Sequence, residues 1–289
     1  MKMKLKANFI KDWHEYLKEI LTNHWGFDVS QINDKDLPLA YFNAESRRID
    51  QRKRNIEISD VFQCPPEVAS GWSKIQAKIK NGCDITPHLS KLVDRIDSTD
   101  LMLNDWGIYH FHLGAELDGE FIKRTGPLLF AFVTDNCFYV INIYQHGEWT
   151  NSDIVEIIHR NWPSIIKHYI INHAKLAYYA TDKERKILRS KHANSFVEVT
   201  DGTVYAPIGG GMVSSGHNVK SVIRIDKQHK FLKHLQNSLE SELIKIRPDL
   251  EKQGYNGEPE LIANLEITET EYRAVFPEYA FVAVLHKKA

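Results

Sequence analysis

Cysteine is scarce in this sequence: Cys64, Cys83 and Cys137 are the only three among 289 residues, and none forms a CxxC pair. Their number and spacing predict neither a disulfide framework nor a zinc site built from cysteines. Long apolar runs are missing too. No stretch approaches the roughly 20 apolar residues that cross a bilayer, and the basic N-terminus lacks the apolar segment of a signal peptide. The sequence therefore predicts a reduced, cytoplasmic protein that does not enter a membrane.

A strong net charge of either sign is also missing, because the sequence has 37 Lys and Arg residues and 38 Asp and Glu residues. With a net charge of −1, the chain as a whole has no basic field to bind nucleic acid non-specifically. Any contact with nucleic acid must come from a local patch. What the sequence does have is a globular composition, 43% hydrophobic and 26% charged, at a length that suggests one to three domains.

Apolar residues at helical spacing predict helices near both ends of the chain. One predicted helix covers residues 9–25 and ends at Gly26, where a glycine suits the C-terminal cap. A second ends at the pair Asn81-Gly82, and a third covers residues 227–246.

Runs rich in β-forming residues predict hairpins in the rest of the chain. Two such runs flank the turn Thr134–Cys137, and Asp201-Gly202 is a strong two-residue hairpin signal. Between these hairpins a helix broken by Pro163 is predicted to continue from Ile165 to Tyr179. The charged segment TDKERK is predicted to be an exposed helix, and IGGGMVSSGHN a flexible loop.

Together these elements predict an α+β fold. It comprises a helical N-terminal region, a central antiparallel sheet with flanking helices, and a C-terminal α+β region. We place these regions at residues 1–100, 101–180 and 181–289.

Two histidines stand in the strand-like segment GIYHFHLG, where aliphatic residues would suit a strand better. Side chains alternate along a strand, so both imidazoles point to one face. The same alternation places three polar residues on one face of the later run FYVINIYQH. If the strands are neighbours, one sheet face is apolar and the other collects the polar groups. This histidine face consists of His110, His112, Asn142, Tyr144 and His146, with Lys123 and Arg124 within reach in the connection.

Imidazole exchanges protons near neutral pH, so two imidazoles can act as general base and general acid. One would deprotonate a ribose 2′-hydroxyl and the other would protonate the leaving 5′-oxygen, while cations offset the charge on the phosphorane. The sequence thus predicts a metal-independent endoribonuclease that needs no cofactor. Its predicted catalytic residues are His110, His112, His146, Lys123, Arg124 and Tyr144.

The layout of residues 106–150, a histidine-bearing and basic surface on a small antiparallel sheet, resembles the RelE-type mRNA-cleaving toxins of bacteria. This resemblance implies RNA cleavage, by a toxin or by an effector of anti-phage defence.

The basic run RRIDQRKR follows two aromatic residues, Tyr41 and Phe42. Its arginines are candidates for binding the phosphates of RNA or of another ligand, while the aromatics stack on bases. A solvated face, or contact with an acidic partner, is the alternative. The predicted substrate-binding residues are Arg47, Arg48, Arg52, Arg54 and Asn142.

Metal binding is the main chemical alternative. The segment HFHLGAE has the spacing H-x-H-x-x-x-E, which resembles the first metal motif of cupins, although Asn104 and Lys123 stand where that motif has glycines. A divalent transition metal would take imidazole and carboxylate ligands. The alternative ligand set is His110, His112, Glu116 and His146.

A further alternative is a non-catalytic protein that binds a protein partner, such as an immunity protein, an antitoxin or an assembly factor. The histidines would then be structural. Asp100 and Asp105 precede the histidine strand and are candidates either for orienting an imidazole or for capping a turn.

Overall fold

A computed structural model describes residues 3–288 and shows an α+β fold, as predicted. The chain divides into two compact units. Unit 1 combines the two ends of the chain, up to Tyr41 and from Val222 onward, and unit 2 is Phe42–Ser221. The boundaries predicted at residues 100 and 180 do not coincide with those of the units. The order of elements along the sequence does not reveal that distant segments share one unit.

The described residues form eight α-helices, which differ widely in length. They are α1 (Phe9–Glu19), α2 (Leu37–Ser46), α3 (Ala69–Asn81), α4 (Leu101–Trp106), α5 (Asp153–Asn161), α6 (Pro163–Ile166), α7 (Asp182–Ser190) and α8 (Val219–Lys252).

The same residues form thirteen β-strands. They are β1 (Lys4–Lys6), β2 (Asn55–Ile58), β3 (Ile108–His112), β4 (Leu117–Asp118), β5 (Phe121–Ile122), β6 (Pro127–Val133), β7 (Cys137–Gln145), β8 (Val197–Glu198), β9 (Val204–Tyr205), β10 (Glu260–Ile262), β11 (Asn264–Ile267), β12 (Glu271–Phe276) and β13 (Phe281–Lys287).

Most of the predicted helices are confirmed. α1 continues as a π-helical turn over Ile20–His24 before Gly26, whose φ is 70°. α3 ends at Gly82, where the left-handed conformation (φ 72°) lets the backbone N–H bond to the Ile79 carbonyl. α8 is longer than predicted, and the segment TDKERK begins α7.

The helix predicted from Ile165 to Tyr179 is wrong beyond its first turns. Helical structure ends in a 3₁₀ turn at Lys167–Tyr169. The chain then turns to the hairpin of β8 and β9, where the Ile171 N–H donates to the Val204 carbonyl at 2.9 Å. An apolar run of this length suits either a helix or an extended segment, and tertiary pairing selects the extended form here.

Unit 2 is built around a four-stranded sheet with the order β2-β7-β6-β3. β3, β6 and β7 are antiparallel, as predicted, and β2 adds a parallel edge strand beside β7. The predicted turn between β6 and β7 is closed by Thr134, whose N–H donates to the Cys137 carbonyl at 2.9 Å. The predicted Asp201-Gly202 hairpin is also present, between β8 and β9.

Both faces of this sheet are covered. One face carries Phe111 and Leu129 and packs against Trp72 and Ile75 of α3. The other face carries Phe130 and packs against α5 and the tryptophan that follows it. Burial of each such side chain contributes about 1.5–3 kcal/mol, so the two cores hold the sheet firmly in the middle of the unit.

Unit 1 joins the two ends of the chain through strand pairing. β1 and β10 form a parallel pair that aligns Lys4 with Glu260. β11, β12 and β13 form an antiparallel sheet next to α1. Asp12 of α1 fixes this contact, because its carboxylate accepts a hydrogen bond of 2.8 Å from the Leu265 N–H.

Bilayer-spanning helices are not found between residues 3 and 288: none there combines the necessary length and apolar composition.

Candidate active site

The sheet of unit 2 aligns the predicted histidine face, with β6 between the two strands that carry it. His110 is opposite Phe130 of β6, and Phe130 is opposite Asn142 of β7. Further along the sheet, His112 is opposite Leu128 of β6, and Leu128 is opposite Tyr144 of β7. The assumption that the histidine strand and β7 are direct neighbours is therefore wrong, because β6 folds back between them. The polar residues on the two strands nevertheless share one face.

A β-bulge in β7 changes the rest of the predicted face. Phe130 is opposite Asn142 but Ala131 is opposite Val140, so Ile141 is an extra residue in the ladder. Beyond this point the alternation of side chains is shifted by one. Val140 and Asn142 therefore do not share a face, although unbroken alternation along FYVINIYQH predicts that they do, and Val140 packs in the core beneath α3.

The face is also less open than expected, because Phe130 is fully buried beneath α5. Accessible groups remain only around its margin. The His110 side chain is 18% exposed, His112 is buried, and His146 lies exposed just after the end of β7.

His110 faces a carboxylate. Its Nδ1 lies 3.6 Å from Oδ2 of Asp100. The second carboxylate oxygen, Oδ1, accepts a 2.9 Å hydrogen bond from the Leu103 N–H and so caps α4. Asp100 thus caps α4 and also lies beside the imidazole. The 3.6 Å separation is too long for a hydrogen bond, and the buried Nδ1 has no hydrogen-bond partner within residues 3–288, so the carboxylate acts on the ring through its charge. Nε2 is the nitrogen of His110 left for proton transfer.

The same histidine lines a cavity of about 340 Å³, a size typical of sites for small ligands. The walls are mostly apolar, with contributions from Leu89, Val93 and Met102. A few polar groups converge on this apolar surface. They include Arg47, Asp100, His110, Lys186, Arg189 and Ser190.

Trp149 brings two of the histidines together. Its indole lies 4.7 Å from the His110 ring and 5.1 Å from the His146 ring, measured between centroids. It is held in place by parallel stacking on Phe130 at 5.4 Å. The two imidazoles therefore contact the same indole. The distance between their ring centroids is smaller than 4.7 Å and 5.1 Å added together. One imidazole lines the cavity and the other is exposed to solvent.

His112 is the buried member of the group, with 6% exposure. Its Nδ1 has no hydrogen-bond partner within the described part of the chain. Burial, assisted by the positive charges of His110 and Arg124, lowers the pKa of His112 to about 4. Nδ1 of His88 donates to the His112 carbonyl at 2.9 Å, and burial lowers the pKa of His88 to about 4 as well. Both rings are neutral at pH 7, which removes His112 as a proton donor.

These two lowered pKa values predict that acid destabilises the protein. Below pH 6.5 the unfolded chain takes up a proton on each histidine, whereas the folded chain does so only near pH 4. The free energy of unfolding is therefore expected to fall between these limits, by at most about 3 kcal/mol per histidine. Urea unfolding at several pH values measures the slope.

His112→Leu should flatten this dependence, because it removes one of the two buried groups. His168→Leu, at an exposed position of the same unit, is the control and should leave the slope unchanged. An equal slope in wild type and His112→Leu would contradict the assignment of His112 as a buried neutral ring.

A buried ion pair also borders the cavity. Nε of Arg189 lies 2.6 Å from Oδ2 of Asp105, and the two side chains are 3% and 1% exposed. The guanidinium lies over the Trp106 ring at 4.1 Å and donates to the Trp149 carbonyl. Asp105 therefore binds an arginine of α7 and does not orient an imidazole.

The predicted substrate-binding arginines all have partners in the protein. Arg47 is buried and donates to the carbonyls of Asn43, Leu92 and Arg95 at 3.2, 2.5 and 2.9 Å, and burial lowers its pKa to about 10. It lines the cavity. Arg48 pairs with a carboxylate, at 3.1 Å from Asp94.

The other two arginines of the run share a carboxylate. Nε of Arg52 lies 2.5 Å from Oδ2 of Asp50, and the buried Arg54 contacts Oδ1 of the same aspartate. Arg54 also donates to the Thr134 carbonyl at 2.7 Å, which ties the segment to the turn between β6 and β7. Binding of phosphate by these four arginines stays a prediction.

The remaining members of the predicted site differ in exposure. Lys123 and Arg124 are exposed, and Arg124 is close enough to His112 to affect its pKa. Burial raises the pKa of Tyr144 to about 12. Asn142 is partly engaged, since its Oδ1 accepts from the Gln63 N–H at 3.1 Å and from its neighbour's N–H at 2.9 Å.

The alternative metal site does not form as predicted. Between residues 3 and 288 no group of three or more His, Cys, Asp and Glu side chains is placed to hold a metal ion. The predicted set of His110, His112, Glu116 and His146 is therefore not placed to hold a metal ion. Glu116 follows the end of β3, where the chain leaves the sheet, and strand alternation no longer fixes the direction of its side chain.

Two important residues of the site were not identified from the sequence. Arg189 carries no local signal, because its partner Asp105 is 84 residues away. Trp149 lies three residues after His146. A bulky aromatic residue so close to the predicted histidine face was the sequence signal that could have identified it.

Comparison of the chain with models of protein families, with curated proteins and with solved structures found no match in any of the three. The resemblance to RelE-type toxins therefore rests on the residues quoted for it and stays a prediction.

Proposed function

We propose that unit 2 carries a metal-independent endoribonuclease site centred on His110. The observation that supports this most is the arrangement of His110 itself. Its Nδ1 faces the Asp100 carboxylate while its ring lines a cavity. A carboxylate beside an imidazole offsets the positive charge that a general base acquires when it takes up a proton.

In this proposal Nε2 of His110 accepts the proton of a ribose 2′-hydroxyl. The 2′-oxygen attacks the adjacent phosphorus, the bond to the 5′-oxygen breaks, and a 2′,3′-cyclic phosphate forms. His146, on the other side of Trp149, donates the proton that the leaving 5′-oxygen requires. Arg124, which is exposed close to His112, would offset charge on the phosphorane.

His112 and Tyr144 have a different part in the proposal. The lowered pKa of His112 and the raised pKa of Tyr144 leave both groups neutral at pH 7. Neither group transfers a proton in the proposal: His112 is buried, and the Tyr144 ring packs against Phe130 at 5.1 Å between centroids. The proton-transfer pair is thereby reduced to His110 and His146.

The proposal predicts that His110→Ala lowers the rate of RNA cleavage by roughly 10²- to 10⁴-fold, the usual contribution of a general base. A single-stranded RNA with a fluorophore and a quencher at its ends measures the rate in the presence of EDTA. A strand of the same sequence made of deoxyribose should not be cleaved, because it lacks the attacking hydroxyl.

Two variants separate a catalytic role from a structural one. His168→Ala, at an exposed position of the same unit, should retain wild-type activity. Asp100→Asn should keep the cap of α4, since asparagine caps helices as well as aspartate does, but should lower kcat at least about tenfold with KM unchanged. Cleavage at the wild-type rate by folded His110→Ala protein would refute the proposal.

A further inference from the structure

A second concave surface lies on the other side of α7 from the cavity. This groove, of about 400 Å³, is lined by Tyr178, Ile187 and Phe196, together with smaller side chains. The three large residues are 65%, 54% and 47% exposed, so aromatic and aliphatic surface lies open to solvent at one place. Exposed apolar surface concentrated in this way is characteristic of binding sites.

The tyrosines at the groove are held by their hydroxyl groups. Tyr178 donates to Glu184, and the neighbouring Tyr179 donates to Glu198 at 2.9 Å. Glu184 is itself fixed by Thr181 in the capping box of α7. The aromatic rings are therefore anchored at one end while their surfaces remain exposed, at 56% for Tyr179. Anchored rings lose little conformational entropy when a planar group stacks on them.

The segment that carries the groove is rich in cations, in contrast to the balanced chain, while Glu184 is the charged residue of the groove lining itself. Residues 172–192 contain six Lys and Arg residues and two Asp and Glu residues. Arg185 and Arg189 are buried, but four lysines of this segment are exposed. Exposed aromatic rings among exposed lysines match the chemistry of unpaired nucleic acid, whose bases stack while its phosphates attract cations.

α7 connects this groove to the cavity. Lys186 and Arg189 of the helix line the cavity, whereas Glu184 and Ile187 line the groove. A helix with its side chains is about 10–12 Å wide, so a short stretch of chain can extend from one site to the other.

From these observations we infer that the groove binds a base of single-stranded RNA between Tyr178 and Phe196. The strand crosses α7 beside Lys186 and enters the cavity of His110. This inference rests on the proposed function and names its substrate class: unpaired RNA, because paired bases cannot reach the rings.

The test measures binding without cleavage. A fluorescein-labelled 12-nucleotide oligouridine with 2′-O-methyl groups cannot react, and fluorescence anisotropy gives its Kd. We expect Tyr178→Ala and Phe196→Ala each to weaken binding by roughly 5- to 100-fold, the range for loss of one stacked base. Tyr178→Phe keeps the ring but loses the hydrogen bond to Glu184, so it should weaken binding less than Tyr178→Ala does. A duplex of the same oligonucleotide with its complement should bind at least about tenfold more weakly.

The controls separate the groove from the catalytic proposal. Val284→Ala removes an exposed apolar residue of unit 1 and should leave Kd unchanged. His110→Ala should lose cleavage but keep the dependence of Kd on Phe196, so loss of cleavage with groove binding intact supports both proposals. Binding through the groove by a protein that cleaves no RNA would overturn the nuclease and support the groove. Equal Kd values for wild type and folded Phe196→Ala, or no binding by wild type, would overturn the inference and leave the groove to a protein partner.

Discussion

Alanine in place of Gly71 is expected to destabilise the protein by about 4 kcal/mol or more, enough to abolish most of the stability of a typical domain. Gly71 lies in α3, where the helix crosses the end of β3. A β-carbon built on it would lie 1.8 Å from the Leu113 carbonyl oxygen and 2.4 Å from the Leu113 carbonyl carbon. These are backbone atoms, so no side chain can rotate away to make room, and α3 must move off the sheet.

Helix propensity alone predicts the opposite sign. An alanine is about 1 kcal/mol more favourable than a glycine in the interior of an exposed helix. Ser73→Ala, at an exposed position two residues further along α3, is the matched control and should change stability by less than about 0.5 kcal/mol. Urea unfolding of the full chain measures both variants. A Gly71→Ala protein as stable as wild type would show that α3 does not approach β3 this closely.

Arg189→Met is expected to destabilise the protein by about 3–5 kcal/mol, because it leaves the Asp105 carboxylate buried without its partner. The loss should depend on pH in a direction that identifies its cause. Burial already raises the pKa of Asp105 in the wild type, and removal of the guanidinium raises it further. The folded variant then holds a proton that the unfolded chain releases above about pH 4. Its stability should therefore fall as the pH rises and recover in acid.

A double variant tests whether the ion pair itself matters. Asp105→Leu combined with Arg189→Met replaces the buried charges by apolar groups and should recover most of the stability that Arg189→Met loses. Thermal and urea unfolding of the two single variants and the double variant give the free energies of unfolding for a double-mutant cycle. Additive losses in the double variant would mean that Asp105 and Arg189 act independently, in conflict with their 2.6 Å contact.

Local signals predicted the secondary structure well where a turn or cap accompanied the periodicity. The hairpin at Thr134–Cys137 and the end of α3 at Gly82 are examples. Failures came where a tertiary contact decided the outcome. The segment after Tyr169 pairs with β9, and β1 pairs with β10 from the far end of the chain. Periodicity carries no information about such partners.

In the candidate site, too, local patterns predicted some features and tertiary contacts decided the others. Strand alternation correctly placed His110 and His112 on a common face, and Asp100 was identified as a candidate neighbour of an imidazole. Alternation failed at Ile141, because a bulge adds one residue without a mark in the sequence. It also gave no indication that the face is largely buried: Phe130 has no exposed surface, and burial lowers the pKa of His112. Solvent access to a face depends on the packing of other elements, and that is a property of the whole fold.

The division of the chain between the two units also has a consequence for biosynthesis. All residues of unit 2 lie between Phe42 and Ser221, so the ribosome has made every one of them before it reaches the second half of unit 1. β1 must wait for β10, which is translated more than two hundred codons later. The nascent N-terminal segment, with the apolar side of α1, is therefore exposed throughout that interval.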